Sequence, residues 1–176
     1  MKPNPKHSGF NYNQRMSLGV DVTVAAIIEQ DGRFLVVEER SSLGKLVLNQ
    51  PAGHLEQGES LVSAAIRETL EETGHRFTPT HVVGLYLWRS EEADTTYFRV
   101  TFCGTAEPPA GGWQLEDGIV ATHWLSRAQL LSRQGQLRSP MVLRCLDDYA
   151  AGHRYPLDCL SHLDSASLEL DVAAQA

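Results

Sequence analysis

The chain has 176 residues, of which 42% are hydrophobic and 21% charged, and its formal net charge is -7. This length fits one domain with a buried core, and the negative charge argues against a general nucleic-acid binder, which needs an excess of Lys and Arg. The three cysteines, Cys103, Cys145 and Cys159, include no C-x-x-C pair, so neither a disulfide framework nor a zinc site is expected.

The two ends of the chain differ in composition from its middle. Residues 1–18 are rich in Asn, Pro, Lys and Gly and lack an apolar signal-peptide segment, which predicts a flexible arm of a cytoplasmic protein. Residues 161–176 are rich in Ala, Ser and Asp, which predicts a loose tail. The domain is therefore expected over residues 19–160. We expect no membrane association, because no apolar run approaches the roughly 18 residues that would span a bilayer.

The chain opens with a predicted β-hairpin. The β-branched run Val20–Ile28 predicts a buried strand, Asp31-Gly32 is a turn signal, and Arg33–Val37 predicts the returning strand. A polar loop is predicted over Glu38–Lys45 and a Pro-Gly loop over residues 46–53.

A helix is predicted over Ser60–Thr73, and three further strands follow it. These strands are predicted over Val82–Trp88, Tyr97–Phe102 and Ile119–Leu125. In the second of them Phe98, Val100 and Phe102 alternate with Tyr97, Arg99 and Thr101. The loop Glu107–Gly118, before the third strand, is rich in Pro and Gly.

Two short helices are predicted near the end of the domain. Ser126 and Gln129 have the spacing of a capping box, and Ser139 before Pro140 predicts an N-cap with Pro at the first helical position. The second of these helices is expected to end near Gly152. Strands with single helices between them favour an α/β domain, a mixed sheet with helices packed on it.

Three glutamates share one face of the predicted helix Ser60–Thr73. At 100° per residue, the opposite face is an apolar stripe that is expected to face the core. The acidic face consists of Glu68, Glu71 and Glu72, and the apolar stripe consists of Val62, Ile66 and Leu70. A solvated acidic face is the plainer interpretation, but a like-charge i,i+4 pair costs about 0.2–0.5 kcal/mol. A hard cation such as Mg²⁺ or Mn²⁺ would relieve that repulsion and prefers oxygen ligands.

The spacing of the residues around this helix is distinctive. It is Gly53, five residues, Glu59, seven residues, and then Arg67-Glu68-x-x-Glu71-Glu72-x-Gly74. This resembles the Nudix box of the MutT-like Nudix hydrolases, G-x5-E-x7-R-E-U-x-E-E-x-G-U, in which U is a bulky aliphatic residue. All seven named positions match, while Thr69 and His75 stand at the U positions and are expected to pack rather than react. The flanking segments FLVVEE, NQPAGHLE, LRSP and GHRYPLD resemble the NudJ-type phosphatase subgroup.

The resemblance implies a Nudix fold, an α-β-α sandwich around a mixed β-sheet, and it implies a role for each residue of the box. The implied metal ligands are the Gly53 carbonyl, Glu68, Glu71 and Glu72. One of these glutamates is the general base, or a later loop supplies it through Glu116 or Asp117. The implied ion pair of Arg67 with Glu59 braces the loop against the helix.

Substrate contacts are predicted outside the box. Arg99 is predicted to bind a substrate phosphate, with a pair to a box glutamate and a plain surface arginine as the alternatives. Gln50 and Asn49 are weaker candidates for substrate contact. Trp88, Tyr86 and Tyr97 belong either to the core or to a surface that stacks a heterocycle.

The resemblance implies a Mg²⁺-dependent hydrolase of organic diphosphates that acts as a monomer on a small molecule. The implied substrates are nucleoside di- and triphosphates, thiamine diphosphate or its hydroxymethylpyrimidine diphosphate precursor. The alternatives are a hydrolase of sugar nucleotides or oxidised nucleotides, and a non-catalytic Nudix nucleotide sensor. The complete set of charged box residues favours the enzyme.

Overall fold

A computed structural model describes residues 19–41 and 43–163 of the chain. The arm predicted for residues 1–18 and the tail predicted for residues 161–176, except its first three residues, lie outside the described residues.

The described residues form one mixed sheet of eight strands. These are β1 (Val20–Gln30), β2 (Arg33–Arg40), β3 (Leu46–Asn49), β4 (Ala52–His54), β5 (Arg76–Ser90), β6 (Thr95–Glu107), β7 (Ile119–Leu125) and β8 (Tyr155–Pro156). The order is β3-β2-β1-β6-β5-β8, with β4 paired to β1 and β7 paired to β2. The sheet is mixed because β1 and β6 are parallel, whereas the other pairs are antiparallel.

Three α-helices accompany the sheet in the described part of the chain. They are α1 (Leu61–Thr73), α2 (Arg127–Ser132) and α3 (Met141–Ala150), and single 3₁₀ turns occur at Gln134–Gln136 and Leu157–Cys159. No helix among the described residues has both the length and the apolar character needed to cross a bilayer.

The helices cover the two faces of the sheet, which confirms the predicted α-β-α sandwich. On one face, Ala64 and Ala65 of α1 pack in a buried cluster with Val24 and Phe102. On the other face, α2 and α3 contribute to a second buried cluster, whose members from the helices are Leu130, Met141, Cys145 and Leu146. The alternation predicted for β6 therefore separates these two clusters.

Two predicted local structures are confirmed in detail. The hairpin between β1 and β2 turns at Asp31 and Gly32, which both have positive φ angles (50° and 72°), as a two-residue type I′ turn requires. The capping box at the start of α2 is also present, because Ser126 accepts from the backbone of Gln129 and Gln129 accepts in return from the backbone of Ser126.

The core-facing side of α1 differs from the predicted one. Ile66 and Leu70 are 38% and 42% exposed, while Ala65 and Thr69 are fully buried. The small face of the helix packs on the sheet because the Thr69 hydroxyl donates to the Ala65 carbonyl (2.7 Å), and its polarity is thereby satisfied within the helix. The prediction of a core-facing stripe is therefore wrong for Ile66 and Leu70, whereas Val62 does pack against the buried cluster.

The N-cap predicted for α3 is also wrong. Pro140 occupies the N-cap position, with helical φ and ψ, and no side chain caps the helix. Ser139 lies one residue earlier than a cap would, so its hydroxyl cannot reach the first turn. Gly152 does follow the helix with a positive φ of 87°, as predicted.

Several strands extend beyond their predicted bounds or were not predicted. β2 continues to Arg40, into the segment that was predicted as a loop, and both β5 and β6 are longer than expected. β3 and β4 occupy a segment predicted as a loop, because short strands containing Asn and Gly carry a weak local signal.

Candidate active site

Gly53 lies on β4, directly beneath the carboxylate of Glu68. A Cβ built on residue 53 would overlap Cδ and both carboxylate oxygens of Glu68. Glycine leaves room here for the glutamate, so the Glu68 carboxylate lies directly against the backbone of β4.

Arg67 of α1 connects the helix to the loop that precedes it and to β4. Its guanidinium donates to both carboxylate oxygens of Glu59, through Nε to Oε2 at 3.0 Å and through Nη2 to Oε1 at 2.6 Å. Nη2 also donates to the His54 carbonyl at 2.9 Å, while Nη1 donates to Glu68 (2.7 Å) and Glu71 (3.0 Å). The predicted ion pair with Glu59 is present, and the same arginine holds two of the three acids of the helix.

Glu72 is the most buried acid of the site, at 6% exposure. Its Oε2 accepts from the Ala52 backbone N–H at 2.8 Å. The pKa of Glu72 is raised to about 9, mainly by burial and in smaller part by the nearby Glu39, Glu68 and Glu116, whereas the Ala52 hydrogen bond opposes the shift. Burial also raises the pKa of Glu68, against the influence of Arg67. These carboxylates are crowded, and a cation would stabilise their charged forms.

The donor set fits a hard divalent cation. It consists of carboxylate oxygens with a backbone carbonyl close by, which suits Mg²⁺ or Mn²⁺ better than zinc. Within residues 19–41 and 43–163, no three His, Cys, Asp or Glu side chains already converge as a metal cluster. The geometry explains this, because Arg67 holds Glu68 and Glu71, and the Ala52 N–H holds Glu72.

One acid near the site was not predicted. Glu39 raises the pKa of Glu72, and Glu39 lines the same cavity as Gly53. It lies on β2, in a segment that was predicted as a loop, and the Glu pair that ends FLVVEE was the signal available in the sequence.

The loop before β7 brings a second acid toward the site. The negative charge of Glu116 raises the pKa values of both Glu68 and Glu72, whereas no such influence is seen for Asp117. Trp113 of the same loop packs against Gly74, where a Cβ would lie 2.7 Å from the indole Cγ.

A cavity of about 390 Å³ opens beside the box. Its wall includes Gly53 and Glu39 together with basic and hydroxyl side chains from other elements, namely Thr23, Lys45, Arg99, Arg138 and Ser139. The cavity therefore places the positive charges of Lys45, Arg99 and Arg138 near Gly53 of the box, as an anionic substrate would require.

Arg99 lies in this cavity wall, at only 5% exposure. Nη1 donates to Asn49 Oδ1 and Gln50 Oε1, both at 3.4 Å. Gln50 is 1% exposed, and its Nε2 donates to the Val142 carbonyl of α3 at 3.1 Å. This geometry favours Gln50 as a residue that positions Arg99, and its predicted substrate contact stays a prediction.

The aromatic candidates divide between two environments. Trp88 and Tyr97 stack on each other, with centroids 5.7 Å apart and an interplanar angle of 18°, and both line the cavity. Tyr86 instead donates its hydroxyl to Asp148 of α3 at 3.0 Å.

Comparisons with known proteins agree with this geometry. The NUDIX domain family profile matches residues 18–145. The chain belongs to the NUDIX family. The phosphatase NudJ of Escherichia coli K12 is 39% identical over 139 residues, which cover 79% of this chain and 89% of NudJ. A NUDIX hydrolase from Nitrosomonas europaea superposes with a TM-score of 0.80 at 47% identity, covering 82% of this chain and 98% of that one. The Escherichia coli ORF135 protein superposes with a TM-score of 0.61 at 25% identity, over 77% of this chain and 91% of that one.

Membership of the NUDIX family makes this chain a hydrolase.

The residues at the two unusual positions of its box, Thr69 and His75, are both buried. Thr69 is fully buried with its hydroxyl bonded inside the helix. His75 is 8% exposed, bonds to Thr73 through Nδ1, and packs edge-on against Trp124 at 5.9 Å between centroids. Both residues pack, as predicted.

Proposed function

We propose that this NUDIX hydrolase cleaves phosphoanhydride bonds of organic diphosphates with Mg²⁺, or Mn²⁺, as its cofactor. The observation that carries the proposal is the close approach of the Glu68 carboxylate to Gly53, beside the buried Glu72. Gly53 and Ala52, the residues that contact these two acids, line a cavity that contains a buried arginine. The proposed substrates are nucleoside di- and triphosphates, thiamine diphosphate or its hydroxymethylpyrimidine diphosphate precursor. This proposal is supported by the 39% identity to NudJ, which is a phosphatase.

The proposed cation ligands are Glu68, Glu71, Glu72 and the Gly53 carbonyl. A bound Mg²⁺ would supply charge neutralisation on the phosphate oxygens and polarisation of the phosphorus. The chain supplies the rest: Arg67 fixes Glu68 and Glu71, and the Ala52 N–H fixes Glu72. Cation binding would draw the carboxylates together from the positions in which Arg67 and the Ala52 N–H hold them.

In the proposed reaction water adds to phosphorus as the bridging P–O bond breaks, and a carboxylate accepts the proton of that water. One of the three helix glutamates is the proposed base. Glu116 is a second candidate, since its negative charge influences the pKa values of both Glu68 and Glu72 from the loop. Arg99 is proposed to bind a phosphate of the substrate, with Gln50 supporting it.

A phosphate-release assay tests the proposal. GTP, GDP and thiamine diphosphate are incubated with protein and Mg²⁺, with and without inorganic pyrophosphatase, so that orthophosphate and pyrophosphate products are told apart. We expect turnover by the wild type and by Glu107→Gln, whose residue is exposed at the end of β6. Glu72→Gln should be inactive. Nucleotide binding without turnover of any diphosphate would instead indicate a non-catalytic sensor.

A further inference from the structure

Arg99 carries a buried positive charge that is in no ion pair of the described residues. Its hydrogen-bond acceptors, Asn49 Oδ1 and Gln50 Oε1, are neutral amides. Glu39 is linked to it only through Asn49, whose Nδ2 donates to Glu39 at 3.1 Å. Buried charges in proteins are normally paired with an opposite charge, so Arg99 lacks the partner that its burial requires.

Three buried side-chain atoms converge on the cavity without a hydrogen-bond partner. They are Thr23 Oγ1, Arg99 Nε and Ser139 Oγ, and no other buried side-chain nitrogen or oxygen of residues 19–41 and 43–163 is left unpaired. All three residues are 4–5% exposed, and all three line the same cavity. Since an unsatisfied buried polar atom costs about 1–3 kcal/mol, a shared ligand explains all three at once.

The fold brings these three groups together from separate elements. Thr23 on β1 and Arg99 on β6 are register partners in the parallel pair, so their side chains are neighbours on the same face. Ser139 arrives from the segment before α3, which is fixed by a hydrogen bond from the Arg138 backbone N–H to the Leu48 carbonyl (2.9 Å). Two hydroxyl groups and the Nε edge of a guanidinium are suitable donors for a tetrahedral oxyanion.

We propose that Thr23, Arg99 and Ser139 form a subsite for the unesterified terminal phosphate of the substrate, beside the box carboxylates. Lys45 and Arg138 line the same cavity and add positive charge to it. A phosphate with one substituent has three free oxygens for these three donor groups, whereas a phosphate substituted on both sides has only two, so the subsite favours a terminal phosphate. The inference rests on the proposed function, and it narrows the substrates to compounds with a free phosphate end.

The first test uses inorganic phosphate as the probe, in EDTA and at low ionic strength, with binding followed by calorimetry. Wild-type protein should bind phosphate saturably, whereas Thr23→Val and Ser139→Ala should each bind about three- to tenfold more weakly, the effect of losing one hydrogen bond of ordinary strength. The matched controls are Thr105→Val and Ser132→Ala, whose residues are exposed on β6 and α2. Thermal melts establish that every variant is folded.

A second arm tests the free phosphate end. Dimethyl phosphate, which is substituted on both sides, should bind at least about tenfold more weakly than inorganic phosphate, because it has fewer free oxygens and less negative charge for the three donor groups. Equal binding of the two anions would overturn this part of the inference. Equal phosphate affinities in wild type, Thr23→Val and Ser139→Ala, or no saturable binding by wild type, would overturn the subsite itself.

A third arm separates this inference from the proposed function. If the enzyme turns over GDP, Ser139→Ala should raise KM about three- to tenfold with a smaller change in kcat, because ground-state phosphate binding is weakened. If no diphosphate is turned over but phosphate binding depends on Thr23 and Ser139, the proposed function fails and the subsite stands.

Discussion

The Cα of Gly53 and the carboxylate of Glu68 are so close that no side chain fits between them. The group displaced by a larger residue is the far end of a flexible side chain, so the backbone need not move. The contact with Gly53 therefore determines where the carboxylate of Glu68, a proposed metal ligand, can lie, and it has less influence on the fold.

Gly53→Ala should reduce activity while preserving the fold. The added methyl pushes the Glu68 carboxylate away, and a displacement of about 1 Å in a catalytic group can cost on the order of 100-fold in rate. The measurements are kcat/KM for GDP hydrolysis and the thermal melting temperature. Gly111→Ala is the matched control, since a Cβ at residue 111 meets nothing within 4 Å. Full activity in Gly53→Ala would show that the Glu68 position is unimportant.

Arg67→Lys should destabilise the protein by about 1.5–3 kcal/mol. Lysine keeps the charge but cannot donate to both oxygens of Glu59 and also to the His54 carbonyl, as the guanidinium does. Urea unfolding in EDTA measures the free energy, with Arg76→Lys as an exposed control. A double-mutant cycle with Glu59→Gln should give a coupling above about 0.5 kcal/mol, and additive effects would argue against the brace.

The stability of the metal-free protein should fall as the pH rises. Burial raises the pKa of Glu72 from 4.5 to about 9, so between these values the folded protein retains a proton that the unfolded chain has lost. The stabilisation from the neutral carboxyl is complete below the unfolded pKa and is lost as the pH rises through the folded pKa, with a limiting slope of about 1.4 kcal/mol per pH unit.

Urea unfolding in EDTA at about pH 6 and about pH 8.5 measures this dependence. Glu72→Gln should remove the Glu72 contribution, so the difference in stability between wild type and variant should change with pH. A difference that stays constant would mean that the Glu72 pKa is not raised. Added Mg²⁺ should stabilise the wild type most at the higher pH, where the carboxylate is easier to ionise.

Tyr86→Phe and Gly84→Ala should act on the same contact between β5 and α3. The Tyr86 hydroxyl donates to Asp148 at 3.0 Å, and a Cβ on residue 84 would lie 2.6 Å from that hydroxyl. Each change should cost about 0.5–1.5 kcal/mol, and the double variant should cost less than the sum. Unfolding free energies test this, with the exposed Tyr155→Phe as control. If the losses of unfolding free energy in the two single variants simply add up in the double variant, Gly84 is not needed to make room for the Tyr86 hydroxyl.

The sequence predicted the fold class and the helix that carries the acids, but it misplaced the helix face. Hydrophobicity favoured Ile66 and Leu70 as core residues, whereas the described helix buries Ala64, Ala65 and Thr69. The Thr69 hydroxyl donates to the Ala65 carbonyl within the helix, so Thr69 can be buried like a small apolar residue. Helical periodicity alone does not predict this hydrogen bond.

The candidate site was only partly predictable, for a related reason. The box residues lie near each other in sequence, so their spacing carries the signal. Thr23, Glu39 and Ser139 come from three distant elements, and only the sheet register and the segment before α3 bring them into one cavity. Their burial beside Arg99 depends on the tertiary structure and leaves no pattern in the sequence.

Gly74 links the box to a loop that lies outside it. Its φ of 70° ends α1, and the indole of Trp113 packs on the space where a side chain would stand. Trp113 anchors the same loop that carries Glu116 toward Glu68 and Glu72. The last glycine of the box and this loop therefore depend on each other. A loop transplanted from a relative to change specificity would succeed only if it also contained an aromatic residue that packs on Gly74 as Trp113 does.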